Sequence, residues 1–323
     1  AGSGQMRSLL ATARKLREAG VLAINERNCE YTLAYNKRRL YPLVDDKLRT
    51  KEIMLNAGLR VPELYGVVEI EHQISELSAF LSKYEDFVIK PAQGTGGDGI
   101  IVITGRIGEM YRKASGNLMS QQEMDHHVSN TLSGLYSLGG HNDKAIVESR
   151  VKFDPVFESI SFQGVPDIRI IIFLGVPVMA MVRLPTRASD GKANLHQGAI
   201  GAGIDIATGK TMTAVWHNNV IDRHPDTHYQ VTDIQVPHWD ELLDISTRCH
   251  ELIGLGYFGV DLVLDKEQGP MILELNARPG LNIQIANRRG LVHRLEHIKK
   301  HAAKLSDPAS RIAFAKEEIA PML

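Results

Sequence analysis

Two apolar segments late in the chain, 259–264 and 270–275, are separated by a short polar stretch, which predicts an antiparallel hairpin. Side chains alternate between the faces of a strand, so Glu274 and Asn276 project to the same side, about 6.6 Å apart at the backbone. Asp261 on the partner strand adds a third oxygen ligand to that side. Carboxylate and amide oxygens suit hard cations. The hairpin therefore predicts a site for Mg²⁺ or Mn²⁺.

A solvated polar stripe on a half-buried sheet is the alternative interpretation of this hairpin. Leu262, Leu273 and Leu275 fill the opposite face, while the polar face carries only residues of ligand type. Arg278 follows Asn276 by two residues, and an arginine beside a cation site is typical of proteins that bind phosphate. These surroundings favour the metal site over the polar stripe.

A second strand pair flanks a glycine-rich segment, 91–99. The strand 87–90 ends in Lys90 and the strand 100–104 follows the glycines, so this unit is a hairpin and not a strand that leads into a helix. That arrangement excludes a P-loop. Glycines allow backbone N–H groups to close over phosphate oxygens. The residues expected in the loop are Gly94, Thr95, Gly96, Gly97 and Gly99.

Basic residues near this loop are candidates for phosphate contacts. Lys90 ends its strand directly before the glycines, and Lys47 follows a possible helix N-cap at Asp46. Either lysine taken alone is as well explained as a structural residue. The remaining basic residues of this part of the chain are expected to be surface charges; they are Arg49, Lys51 and Arg60.

The other elements predict strands in hairpins and helices in separate runs, which is typical of an α+β fold with antiparallel sheets. Helices are expected at 47–57, 72–82, 239–254 and 291–305, with helices and a connection over 108–140. Strands are expected at 145–148, 167–173 and 176–184, and a mobile loop with a short strand at 186–203. Polar residues in these elements add candidates: Glu148, Asp167, Arg169, Asn194 and His196.

Composition excludes several classes of protein. Lys and Arg number 37 and Asp and Glu 38, so the net charge of −1 provides no basic field for nucleic acid or a membrane surface. Cys29 and Cys249 lack paired spacing, which disfavours a zinc site or disulfide and indicates a cytoplasmic protein. No apolar run is long enough to span a bilayer. Residues 1–5 resemble a cloning remnant before Met6, and a basic amphipathic helix is expected over 6–19.

Taken in order, these motifs resemble the ATP-grasp superfamily, and within it the RimK-type enzymes of the α-L-glutamate ligase-like group. The resemblance covers roughly residues 40–290 and depends on the set of motifs rather than on any one of them. The strings that support it are DKLRTK at 46–51, GLRVP at 58–62, VIKP at 88–91, the glycines of 94–99, VE at 147–148, DIR at 167–169, NLH at 194–196, Asp261 and ELNARPG at 274–280.

The resemblance implies two α+β lobes with ATP between them. It implies a helical segment at 1–44 in place of a pre-ATP domain, a small lobe at 45–143 with a glycine-rich lid, a large lobe at 144–305 with the metal site, and a tail at 306–323. By position, Lys47 and Lys90 would hold phosphates, and Glu148 and Ser149 would lie at adenine and ribose. Two Mg²⁺ would bind Asp261, Glu274 and Asn276, and the acyl phosphate would face Arg169, Asn194 and Arg278.

The activity that the resemblance implies is ATP-dependent joining of a carboxylate to an amine through an acyl phosphate, with glutamate, another amino acid or a peptide as substrate. An ATP-grasp phosphotransferase, a non-catalytic nucleotide-binding protein and a metal hydrolase are the alternatives. The short region before residue 45 suggests a protein partner that completes the substrate site. The sequence does not distinguish a monomer from a homo-oligomer. The general base stays open between Asp190 and His196.

Overall fold

Two antiparallel sheets organise the part of the chain that the computed structural model describes, residues 14–94, 97–137 and 139–322. The strands are β1 Leu64–Val68, β2 Phe87–Pro91, β3 Ile101–Ile107, β4 Met110–Lys113, β5 Leu118–Met119, β6 Ala145–Glu148, β7 Asp167–Phe173, β8 Val176–Leu184, β9 Ile200–Ile204, β10 Thr211–Trp216, β11 Asn219–Ile221, β12 Tyr257–Asp265 and β13 Gly269–Asn276. The first sheet has the order β1-β6-β2-β3-β4-β5 and the second β11-β10-β9-β8-β7-β12-β13. The predicted α+β fold is confirmed.

Helices pack on these sheets and form most of the segment before β1. The α-helices are α1 Ile24–Glu26, α2 Pro42–Asp45, α3 Lys47–Asn56, α4 Leu77–Leu81, α5 Gln121–Leu132, α6 Trp239–Ile253, α7 Asn282–Asn287, α8 Val292–His301 and α9 Pro308–Phe314. Tighter or wider helical turns occupy Arg27–Leu33, Arg38–Leu40, Glu71–Glu76, Pro155–Ile160, Leu195–Gln197, Ala302–Lys304 and Ala315–Ile319. Among the described residues, no helix is both long and apolar enough to cross a membrane.

The start of α3 is fixed by a cap and by a contact to the end of β2. Oδ1 of Asp46 accepts hydrogen bonds from the backbone N–H of Leu48 at 2.9 Å and of Arg49 at 3.4 Å. These bonds satisfy donors that the first turn leaves free. The backbone N–H of Lys47 donates to the carbonyl of Ala92 at 3.0 Å. Lys47 is therefore held beside the strand that ends in Lys90.

Each sheet has its own apolar core. Phe87 and Ile89 of β2 pack with Met124 and Val128 of α5 in the first sheet. Every residue of β7 is buried in the second sheet, because helices and neighbouring strands cover it. Burying one such large apolar side chain contributes about 1.5–3 kcal/mol. The two cores are separate clusters, one for each sheet.

The structure corrects the expectation of helices and a connection over 108–140, because this range also contains strands. The strands β4 and β5 extend the first sheet before α5 begins, and Tyr111 of β4 is fully buried. Helix signals start only at Ser120, whose hydroxyl accepts from the N–H of Glu123 at 3.2 Å in a capping box. The polar composition of the segment hid the alternation of two short edge strands.

Two further elements were missed by the sequence interpretation. The hairpin of β10 and β11 turns at His217 and Asn218, which both have positive φ, 46° and 65°. That conformation is typical of two-residue hairpin loops, whose usual sequence signal is a glycine, as in Asn-Gly, and the pair His217-Asn218 lacks one. The expected tail at 306–323 contains α9 and the turn Ala315–Ile319, and Ile319 is buried in the core of the second sheet.

The division of the chain into the segments 1–44, 45–143, 144–305 and 306–323 remains a prediction. One strand that follows the boundary at residue 143 pairs with strands that precede it. Ala145–Glu148 pairs with β1 and β2, so this first strand of the predicted large lobe belongs to the six-stranded sheet. The predicted helix over 6–19 falls largely on residues 1–13, which lie outside the described residues, as do Thr95 and Gly96 of the glycine loop.

Candidate functional site

A cleft of about 910 Å³ lies between the two sheets. Its walls come from β2, β3, β4 and β6 of the first sheet and from β7, β8, β12 and β13 of the second. The predicted site residues that line it are Lys47, Lys90, Gly97, Glu148, Ser149, Arg169, Asn194, Asp261, Glu274 and Asn276. Motifs far apart in the sequence therefore meet in one cavity.

The acidic hairpin has the arrangement that its alternation predicts. Asp261 of β12 lies opposite Glu274 of β13, and Asn276 follows on the same face. The Asn276 amide nitrogen donates to Asp261 Oδ2 at 3.2 Å and lies 3.3 Å from Glu274 Oε1. The three side chains converge, as the strand geometry requires.

Asp261 belongs to a buried network that we call the arginine network, formed by Asp167, Arg169, Arg183 and Asp261. Arg169 donates to both oxygens of Asp261 at 2.7 and 2.6 Å. Arg183 donates to both oxygens of Asp167 at 2.5 and 2.6 Å and to Asp261 Oδ2 at 2.9 Å. The network follows from the strand order β8-β7-β12, which places these residues side by side.

The two carboxyl groups of the arginine network titrate differently. Burial raises the pKa of Asp261, but the charges of Arg169 and Arg183 outweigh it and hold this pKa well below its usual range. Burial raises the pKa of Asp167 to about 6, against the attraction of Arg183 and with further repulsion from Asp261. The two carboxyl groups form a coupled pair in which Asp261 has the lower pKa.

The donor set fits a hard cation at the Glu274 side of the hairpin. Oδ2 of Asp261 already accepts three hydrogen bonds, whereas Oδ1 accepts one and keeps a lone pair. The Glu274 side chain is 36% exposed. Among the described residues, no group of three or more His, Cys, Asp or Glu is arranged to hold a metal ion. The amide nitrogen of Asn276 faces both carboxylates, so a site here needs this amide to turn and present its oxygen, with water completing the ligands.

Lys47 lies between the acidic hairpin and the glycine loop. Its Nζ donates to the carbonyl of Gly94 at 2.6 Å and lies 3.8 Å from Glu274 Oε2. Burial lowers the pKa of Lys47, and the negative charge of Glu274 opposes that shift. This lysine therefore lies at the point where the acidic and glycine-rich motifs meet.

Lys90 belongs to a second buried network, the lysine network, formed by Lys51, Glu148 and Lys90. Glu148 Oε1 lies 2.5 Å from Lys90 Nζ, and Oε2 lies 3.0 Å from Lys51 Nζ. Lys51 Nζ also donates to the carbonyl of Pro62. Burial raises the pKa of Glu148, but the charges of the two lysines lower it by more than burial raises it, so the net shift is downward. The expectation that Lys51 is a surface charge is wrong.

Ser149 and the glycine loop are engaged in local contacts. The hydroxyl of Ser149 accepts from the N–H of Glu63 at 2.9 Å. Gly99 has a φ of +75°, and a Cβ there would lie 2.6 Å from the ring of Tyr136. His127 Nε2 donates to the carbonyl of Gly99 at 2.9 Å. Gly99 is thus anchored to the middle of α5 and packs against Tyr136, which follows this helix, and glycine is required at residue 99 for both φ and space.

The remaining predicted residues differ in whether they line the cleft. Asn194 lines the cleft, and its Oδ1 accepts from the N–H of His196 at 3.0 Å. Asp190 and His196, the candidates for a general base, also line it. The exposed guanidinium of Arg278 lies over the ring of Tyr41, 5.1 Å from its centroid, and is not among the described residues that line the cleft.

Sequence reasoning missed Arg183 and the burial of Lys51. A single charged residue near the end of the apolar strand β8 was a signal for Arg183, because an unpaired charge is costly in such a strand. Lys51 gave no local signal, since its partner Glu148 comes from β6.

A family model described as sugar-transfer associated ATP-grasp matches residues 26–300. The chain belongs to this ATP-grasp family. It is 23% identical over 278 residues to a protein of Maridesulfovibrio salexigens named "Probable alpha-L-glutamate ligase", covering 84% of the chain and 64% of the relative. A protein of Azotobacter vinelandii with the same name is 22% identical over 271 residues, with the same shares covered. The ATP-grasp chain thus spans about 64% of the length of these relatives.

Among solved structures, the ATP-grasp chain is similar to "ATP-grasp ligase PsnB complexed with minimal precursor, Mg, and ADP". The TM-score is 0.46 and the sequence identity 15%, with 83% of this chain and 62% of that chain covered.

Proposed function

We propose that this ATP-grasp chain is a carboxylate–amine ligase that uses ATP and forms ADP. One observation supports this most strongly: a single cleft contains Lys90 of the first sheet, the Glu274–Asn276 pair of the second, and Lys47 between them. A triphosphate needs cations on one side and a carboxylate-bound metal on the other, and this cleft offers both. The names of the similar proteins agree with ligation.

The proposed reaction has two steps. A substrate carboxylate attacks the γ-phosphorus of ATP, which breaks the bond to the β-phosphate oxygen and releases ADP. An amine then attacks the acyl carbon, loses a proton, and expels inorganic phosphate as the amide forms. Positioning and charge neutralisation supply most of the catalysis in such phosphoryl transfers.

The chain's own residues have distinct roles in this proposal. Lys47 and Lys90 bind phosphate oxygens and offset their charge. Glu274 and Asn276, with the remaining lone pair of Asp261, hold magnesium, which neutralises phosphate charge when bound. The glycine loop excludes water from the phosphates. Arg169 is held by Asp261 and reaches the cleft from its buried end.

We infer the substrate class from the names of the similar proteins and from the description of the family. Glutamate or another amino acid is the first candidate, because the similar proteins are named glutamate ligases. The description of the family as sugar-transfer associated adds amino sugars and sugar carboxylates. Asp190 and His196 border the part of the cleft where an amine would bind and are the proposed general bases.

A release assay for ADP tests the proposal. The chain is incubated with MgATP, a carboxylate and an amine, drawn from amino acids, acidic peptides, amino sugars and sugar carboxylates, and products are read by mass spectrometry. A ligase releases ADP only when both substrates are present and yields a product joined by loss of water. ADP release with a single hydroxyl acceptor would indicate a phosphotransferase, and MgADP binding without any turnover would indicate a non-catalytic binding protein.

A further inference from the structure

The lysine network extends from the surface of the cleft into the interior of the protein. Lys90 and Glu148 are among the described residues that line the cleft, and Lys51 is not. All three side chains are at least nine-tenths buried, with 8%, 4% and 6% of the Lys90, Glu148 and Lys51 side chains exposed. Lys51 is therefore a second layer behind the pair that faces the cavity.

The charges of the network explain what this second layer does. Glu148 lies within 3.0 Å of both lysines, so two positive charges and one negative charge leave a net charge of +1. Without Lys51, the carboxylate would face Lys90 alone and the net charge would be zero. A phosphate would then compete with a buried carboxylate for the Lys90 ammonium group. Buried ion pairs are costly to break when one partner is left unpaired.

We propose that Lys51 is a positioning residue for nucleotide binding: it neutralises Glu148 and so keeps Lys90 available to the phosphates. The inference rests on the proposed function, because it assumes that Lys90 binds phosphate. Lys51 itself touches no ligand. It is fixed by its bond to the Pro62 carbonyl and by its place on α3, one turn after Lys47.

Titration calorimetry with MgADP and with adenosine tests this role. Lys51→Met is expected to weaken MgADP binding about tenfold, because Glu148 then competes for Lys90 and weakens its charge-assisted contact to the phosphates, and to change adenosine binding by less than about twofold. Lys51→Arg keeps a positive charge beside Glu148, so its MgADP affinity is expected to stay within about threefold of wild type. Arg49→Met, an exposed charge on the same helix, is the matched control and is expected to bind like wild type.

The outcomes separate this inference from the proposed function. Wild-type protein that binds no MgADP would overturn both. If wild type binds and Lys51→Met binds equally well, or if Lys51→Arg is as weak as Lys51→Met, Lys51 has no positioning role. Should Lys51→Met fail to fold, as judged by circular dichroism, Lys51→Gln, which also lacks the charge, replaces it: it must bind MgADP about tenfold more weakly than wild type, and equal affinity would overturn the role.

Discussion

The arginine network and the lysine network lie on opposite walls of the same cleft, and both are buried, but their charge balance differs. The arginine network pairs two arginines with two carboxylates and is neutral. The lysine network has two cations for one carboxylate and keeps a positive charge. A neutral network stabilises the sheet it belongs to, whereas a network with a net positive charge can also bind an anionic ligand. The comparison predicts that the two walls respond differently to substitution.

The largest effect is expected from Asp261→Ala in the arginine network. It leaves two buried guanidinium groups with only Asp167, and breaking a buried ion pair in this way costs about 3–5 kcal/mol of the free energy of unfolding. Urea unfolding followed by circular dichroism measures it. The matched control is Asp244→Ala, on the helix α6 at a side chain that is 48% exposed, where a change of about 0.5 kcal/mol or less is expected. Equal losses in both variants would show that the arginine network does not stabilise the fold.

Glu274→Gln is expected to remove activity and keep stability, because this side chain lies outside both networks and is 36% exposed. Loss of one such electrostatic contact raises a reaction barrier by about 2.7–4 kcal/mol, so ADP formation would fall about 100- to 1000-fold. The measurement is the rate of ADP release beside urea unfolding of the same sample. Unchanged turnover would contradict the assignment of Glu274 to the cation site.

Lys90→Met in the lysine network is expected to act on nucleotide affinity more than on stability. Loss of a charge-assisted contact to phosphate corresponds to about 1.5–3 kcal/mol of binding free energy. Lys51 remains to pair with Glu148, so the fold keeps a partner for the buried carboxylate. Calorimetric titration with MgADP gives the affinity. A variant that unfolds as readily as Asp261→Ala, with unchanged affinity, would remove the distinction between the two networks.

The smallest effect is a pH dependence of the lysine network. The pKa of Glu148 is lowered in the folded chain from its usual value of 4.5, so its ionised form stabilises the fold above that pH and the stabilisation is lost as the pH falls. The difference in unfolding free energy between wild type and Glu148→Gln should therefore narrow below pH 4.5, by at most about 1.4 kcal/mol for each pH unit. A difference that widens in acid would contradict the downward shift.

Local patterns predicted the parts of the site that depend on strand geometry. The alternation of Glu274 and Asn276 and the hairpin with Asp261 required only the two-residue period of a strand. The networks behind them required knowledge of which strands are neighbours. Lys51 was assigned to the surface because its helix is polar and its partner lies 97 positions later in the sequence, a pairing that no local period contains. Arg183 was missed for the same reason, since β8 meets β12 only through β7.

The direct test of the central claim is calorimetric titration of ADP into wild-type protein and Glu274→Gln, each with magnesium and with the metal removed by EDTA. The claim is that one cleft holds a nucleotide's phosphates between lysines and a metal bound at Glu274 and Asn276. It predicts that wild-type protein binds ADP strongly only with magnesium, and that Glu274→Gln loses this magnesium dependence. ADP binding that is equal with and without magnesium in both proteins would contradict it.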